Sequence, residues 1–206
     1  MLSELRTGTV VSSDGAINPG RTDKTGALIA ADGHGRYIES VYRGNVFLAS
    51  NSAVQALSGN STTATGLILT NPAGSGRNLA ILEIQVAVAS LPAGQSSLIL
   101  TGSNVTTATT VVHTTPLTVR NAFLGSAPTS GVGLVDSAAT IPAANIFRVL
   151  GTGTAATVAA STAFPPFVKD ETSGILMLAP GTVISLQALT TALSVVASII
   201  WEELPL

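Results

Sequence analysis

The chain contains no cysteine. That excludes disulfides, thiolate metal sites and a cysteine nucleophile, and leaves the redox compartment open. Charge is almost as scarce. Asp, Glu, Lys and Arg make up 10% of the 206 residues, against about 25% in an average soluble domain. With a net charge of −2 and no basic run, no electrostatic footprint for nucleic acid is present, and direct nucleic-acid binding is not expected. Aromatics amount to 4%, with a single Trp and two Tyr. A long membrane-spanning run is missing too. Residues 173–201 carry no charge, but Pro180-Gly181, Gln187 and several Ser and Thr interrupt them, whereas a span needs about 20 apolar residues. Residues 1–15 show no basic segment followed by an apolar stretch, so an ordinary export signal is not expected.

What is abundant is apolar: 46% hydrophobic residues, with 20 Gly and 10 Pro and a mean hydropathy of +0.50. A compact monomer of 20.6 kDa exposes roughly 8,900 Å² by the usual scaling of area with mass. Nine basic and eleven acidic side chains do not cover such a surface. Either the exterior is Thr, Ser, Ala and Gly, as in a neutral secreted β-protein, or much of it is buried against other subunits. The second alternative is the expectation adopted.

The charges are uneven. Residues 1–43 hold half of them, together with Asp14-Gly15, Asn18-Pro19-Gly20, Asp32-Gly33 and Gly35, which are turn signals with little apolar periodicity between them. This region reads as an extended N-terminal arm, and 44–206 as the folded domain. From Tyr37 the pattern is β. Tyr37–Tyr42, Val46–Leu48 and Thr65–Thr70 are short β-prone runs. Ala80, Leu82, Ile84, Val86 and Val88 alternate with Glu83 and Gln85, which predicts a strand with one buried face. Leu193, Val195, Ala197, Ile199 and Trp201 predict a final strand of the same type, with Val196 and Ile200 making its second face partly apolar. Residues 125–165 are Gly-, Ala-, Ser- and Thr-rich with weak pattern. Eight or so short strands separated by Pro/Gly turns predict an all-β protein, a β-sandwich closed in jelly-roll fashion.

Motifs for chemistry are sparse. Asn71–Asn78, NPAGSGRN, lacks the spacing and the lysine of a phosphate loop and reads as a hairpin turn. His34 and His113 are the only histidines, too few for a metal site. His113 and Asp136 form a Ser-His-Asp set only on paper, with no nucleophile elbow beside them. Asp170-Glu171 and Glu202-Glu203 are adjacent carboxylates that a strand points to opposite faces, so they read as a solvated turn and a polar chain end. The sequons at Asn60 and Asn104 matter only in a secreted eukaryotic protein. Arg36, Tyr37, Tyr42, Arg43 and Phe47 form the one cluster that combines Arg with aromatics, residue types enriched at binding hot spots. They are the candidate subunit interface, with ordinary packing of the first strand as the alternative. No catalytic, cofactor-binding or metal-binding residue is expected.

Three stretches, GRYIESVYRGNVF (35–47), TGLILTNPAGSGRNLAILEIQVAV (65–88) and VVASIIWEELPL (195–206), resemble small virion structural proteins of tailed bacteriophages, of the capsid decoration and head-spike type. Arg77 stands where the resemblance leads one to expect Lys. The resemblance implies a structural part of a particle, without catalytic residues or cofactors. The expected role is an auxiliary capsid protein (decoration, cement or head-spike) that docks on the shell. Its expected partners are copies of itself, as a homotrimer, and the major capsid protein or other virion proteins. It would assemble in the host cytoplasm and reside in the virion. The alternative is a tail-associated receptor- or glycan-binding module, for which so few aromatics offer little.

Overall fold

The computed structural model describes residues 21–22, 28–29, 36–57, 59–90, 94–104, 111–125, 130–153, 167–190 and 192–206. Contacts divide the chain into Met1–Glu39 and Ser40–Leu206. In the first unit, β1 (Arg21–Thr22) pairs antiparallel with β2 (Leu28–Ile29). The rest of the expected arm before residue 36, His34 included, lies outside the described residues. The helix α1 (Ile38–Tyr42) begins at the end of this unit. A strand was expected over Tyr37–Tyr42; the structure makes one helical turn instead. Gly44, at φ +73°, ends it with left-handed backbone that a glycine adopts without cost, and the Gly44 N–H donates to the Val41 carbonyl.

The second unit is two antiparallel sheets. Its strands in chain order are β3 (Val46–Ser50), β4 (Gln55–Ala56), β5 (Thr63–Asn71), β6 (Arg77–Ser90), β7 (Ser96–Asn104), β8 (Val112–Pro116), β9 (Arg120–Asn121), β10 (Leu134–Thr140), β11 (Asn145–Gly153), β12 (Phe167–Asp170), β13 (Leu176–Leu178), β14 (Thr182–Ala188) and β15 (Ser194–Pro205). Sheet I has the order β11-β7-β14-β5-β10-β8; sheet II has β12-β6-β15-β3-β9, with β13 also on β6 and β4 on β15. The chain is thus an all-β sandwich, as its turn spacing predicts.

The core lies between the sheets. Leu67, Leu69, Leu98, Leu100, Ile184 and Leu186 of sheet I meet Phe47, Ile84, Val86, Val195, Ile199 and Trp201 of sheet II, each such side chain contributing about 1.5–3 kcal/mol of transfer free energy. Phe47 and Trp201 stack with centroids 6.1 Å apart. The expected inner row of β15, Leu193 to Trp201, is all in this core.

The expected row on β6 is only half right. Between Ile200 and Trp201 the β15–β6 register shifts, so that Trp201 opposes Ile81 and Leu82 is skipped. A bulge of this type inverts the face on which later residues fall. Leu79 and Ile81 therefore join Ile84, Val86 and Val88 in the core. Ala80 and Leu82, buried outside the core cluster, lie along the turn at 172–175. There the Ser173 and Gly174 N–H groups donate to the Leu82 and Ile81 carbonyls.

Asn71–Gly76 is not a hairpin turn. It carries the chain from β5 in sheet I to β6 in sheet II, two strands that do not pair. Buried Asn71 holds the crossing: its Nδ2 donates to the Arg77 and Leu178 carbonyls at 2.8 and 2.9 Å, and its Oδ1 accepts from Ser75 Oγ at 2.6 Å.

Candidate functional site

The two closing acidic residues part ways. Glu202 stays partly accessible, whereas Glu203 is fully buried and is not a polar chain end. Its carboxylate accepts from the backbone N–H of Val132 (2.8 and 3.1 Å) and of Gly133 (3.0 Å), and from Trp201 Nε1 (3.2 Å). This anchors the segment that leads into β10. It is an architectural group, satisfied on all sides.

His113 and Asp136, which combine only on paper in the sequence, are brought together: Nδ1 and Oδ2 are 2.5 Å apart. The register shifts of β10 set this pair. Asp136 opposes Ile68 and Ala139 opposes Ala64 across β5, while Ala139 also faces His113 across β8, which turns Asp136 toward the outer face. The other oxygen, Oδ1, is buried without a hydrogen bond among the described residues. Among those residues no hydroxyl bonds to the second ring nitrogen of His113. No group of three or more His, Asp or Glu is placed to hold a metal among the described residues, and no described helix is long and apolar enough to cross a membrane.

Asp170 and Glu171 do not act as a carboxylate pair either. Arg148 Nη2 reaches Asp170 Oδ1 at 2.6 Å. Lys169 Nζ sits between Glu171 Oε1 (2.5 Å) and Glu83 Oε2 (3.2 Å). The hydrogen bond to Glu171, then that to Glu83, holds the Lys169 ammonium above its ordinary range.

Of the five residues expected at a subunit interface, one is not on the surface at all. Phe47 is 1% exposed and belongs to the core, so it is withdrawn from the set. Arg36 and Tyr37 lie in the first unit, where the guanidinium stands 5.5 Å from the Tyr37 ring centroid. Tyr42 is 73% exposed and Arg43 is exposed beside it. Pairing of β9 with β3 brings Phe123 edge-on to Tyr42, with centroids 6.3 Å apart and planes at 76°.

Exposed apolar side chains concentrate at the two lateral edges of the sandwich. At one edge, β11, β12, β13 and the turn that enters β13 expose Ile146, Phe147, Val149, Phe167, Ile175 and Met177, with Phe167 at 77% and Ile175 at 80%. Arg148–Asp170 and the approach of Val168 to Gly151 tie β11 to β12 across the two sheets. A cleft of about 390 Å³ opens between Phe147 and Met177, floored by Gly102, Leu178 and Ile184. At the opposite edge, around β8 and β9, Tyr42, Val112, Leu124 and Leu134 are exposed. Among the described residues, ten of the fifteen large exposed hydrophobics therefore sit on these edges, where a lone subunit would leave them in water. Sequence reasoning missed nearly all of them. An edge strand and a central strand are both apolar runs, and only the pairing tells them apart.

Comparison of the chain with family models, with curated proteins and with solved structures finds no match.

Proposed function

We propose that the chain is a structural virion subunit: an auxiliary capsid protein of the decoration, cement or head-spike type, which docks on the shell and binds neighbouring subunits. It carries no catalytic role and needs no cofactor. The observation that carries the reading is the apolar β11–β13 edge, left exposed on a molecule with few charges to keep it apart from neighbours. Exposed patches of this type mark protein partners. The resemblance of residues 35–47, 65–88 and 195–206 to virion proteins points to a particle as the assembly.

The strand order supports the jelly-roll reading. Taking β3, β5, β6, β7, β11, β12, β14 and β15 as strands one to eight, sheet II holds them in the order 6-3-8-1 and sheet I in the order 5-4-7-2. Successive strands alternate between the sheets except β7 and β11, which pair. That order is the one expected of a double Greek key. The segment between β7 and β11 adds β10 and β8 beside β5, and β9 beside β3, so both sheets are widened on one side. Jelly rolls recur in capsid proteins; fold alone does not assign function.

Electron microscopy of purified particles, with this chain bearing a small density label, tests the proposal. Label at symmetric positions on the shell is the expected result. Label confined to the tail favours the receptor-binding module, and particles without the chain overturn the reading.

A further inference from the structure

We infer that copies of this chain join edge to edge in a head-to-tail ring, the β11–β13 edge of one copy seating on the β8–β9 edge of the next. The inference rests on the reading that the chain works as a subunit and names the surface and the partner.

Two lateral edges are apolar, and they lie on opposite sides of the same sandwich, since β11 and β12 end one side of the sheet orders and β8 and β9 end the other. With ~200 Å² as the full surface of each such side chain, the exposed fractions amount to roughly 700 Å² on the first edge and roughly 500 Å² on the second. The first alone exceeds the largest apolar patch of a typical monomer, about 300–600 Å². Brought together they bury roughly 1,200 Å², the lower bound of a specific interface. A two-fold contact of either edge with itself would leave the other edge wet. A heterologous contact covers both edges on every copy with a single kind of interface, and such a contact makes a closed ring when its rotation closes.

The electrostatics agree. On the first edge Arg148 is paired with Asp170, and Lys169 with Glu171. The arginines of the second edge, Arg43 and Arg120, therefore meet no unpaired cation. The Tyr42–Phe123 pair supplies the kind of aromatic anchor found at hot spots, and the Phe147–Met177 cleft is a matching concavity.

Light scattering and sedimentation of the purified full chain test this, with two variants. Val149→Lys/Phe167→Asp charges the first edge; Tyr42→Asp/Leu124→Lys charges the second. All four side chains are exposed, so circular dichroism and the urea midpoint are expected to stay at wild-type values. Should one pair perturb the fold, Phe167→Ser and Leu124→Ser replace it. Wild type is expected as a closed oligomer whose mass gives the copy number. Each variant alone falls to the single-chain mass of 20.6 kDa, with self-affinity reduced on the order of 100-fold. An equimolar mixture of the two variants forms a one-to-one pair, because it retains one intact edge of each kind. A wild-type chain that stays single at 100 μM assigns the edges to a different protein and overturns the inference. So does retention of wild-type mass by the second variant, which indicates two-fold self-pairing, or a mixture that forms no pair. These outcomes concern the ring alone. The location of the chain in the particle is read separately by the labelled micrographs, so either idea can fail without the other.

Discussion

Replacing Glu203 is the sharpest probe of how the sandwich is held. The carboxylate satisfies three buried N–H donors, from Val132, Gly133 and Trp201. Glu203→Ala leaves all three without an acceptor, at about 1–3 kcal/mol each. Relief from desolvating a buried carboxylate offsets part of that cost. The net expectation is a loss of about 3–5 kcal/mol, a third or more of the stability of a typical domain. Glu203→Gln keeps one acceptor oxygen but sets an NH₂ group against the Val132 N–H, and about 1–2 kcal/mol is expected. Trp201 is the only tryptophan and is bonded to this carboxylate, so its emission follows unfolding in urea directly. The order of stability should be wild type, Gln, Ala, with the alanine midpoint lowered by roughly 1–3 M at ordinary slopes. An alanine variant within 1 kcal/mol of wild type would refute the idea that this group anchors the segment before β10.

Two further changes probe other contacts. Gly66 has φ +126°, and a Cβ there would lie 2.2 Å from Leu57 Cδ2 and 3.0 Å from the Leu186 carbonyl oxygen. Overpacking and backbone strain together should cost Gly66→Ala about 2–5 kcal/mol and lower the melting temperature by roughly 5–20 °C; a shift under 2 °C sinks the argument. Lys169 is held above its ordinary value of 10.5 by Glu171 first and Glu83 second. Its contribution is full below pH 10.5 and fades as pH rises through the higher folded value. Wild type should therefore lose stability more steeply than Lys169→Met across that alkaline range, and superimposable urea-midpoint curves would contradict it.

The fold was legible where side chains alternate without interruption. Along β15 the inner row from Leu193 to Trp201 reads straight off the sequence, because period-2 burial leaves no other option. On β6 the same reasoning chose Ala80 and Leu82, and the bulge opposite Trp201 exchanged them for Leu79 and Ile81; a bulge depends on the partner strand, which one strand's residues do not reveal. The Asn71–Gly76 turn was legible as a turn, but whether a turn joins paired strands or crosses between sheets depends on where β14 and β15 lie, over a hundred residues on. For the candidate surface, Tyr42 and Arg43, both exposed, were chosen from composition, whereas Phe47 was misplaced because a β-prone aromatic looks the same on an interface as in a core. The β11–β13 edge falls largely where the pattern is weakest, and nothing in Ile146-Phe147-Arg148-Val149 announces that its strand has a neighbour on one side only. Glu203 looked like a solvated tail residue because its donors come from residues 132 and 133, far along the chain.

The position of β15 has a consequence for how the molecule is born. This strand leaves the ribosome after every other strand of both sheets, yet it occupies the middle of sheet II, with β6 on one flank and β3 on the other. Until it arrives, those two strands do not pair with each other, and the core lacks its only indole. Nascent chains must therefore wait, with apolar strand edges bare, for a contact that spans most of their length. Such long-range closure is slow and exposes intermediates to self-association, so yield in the cell should depend on chaperone supply and on temperature more steeply than the finished sandwich's own stability would suggest.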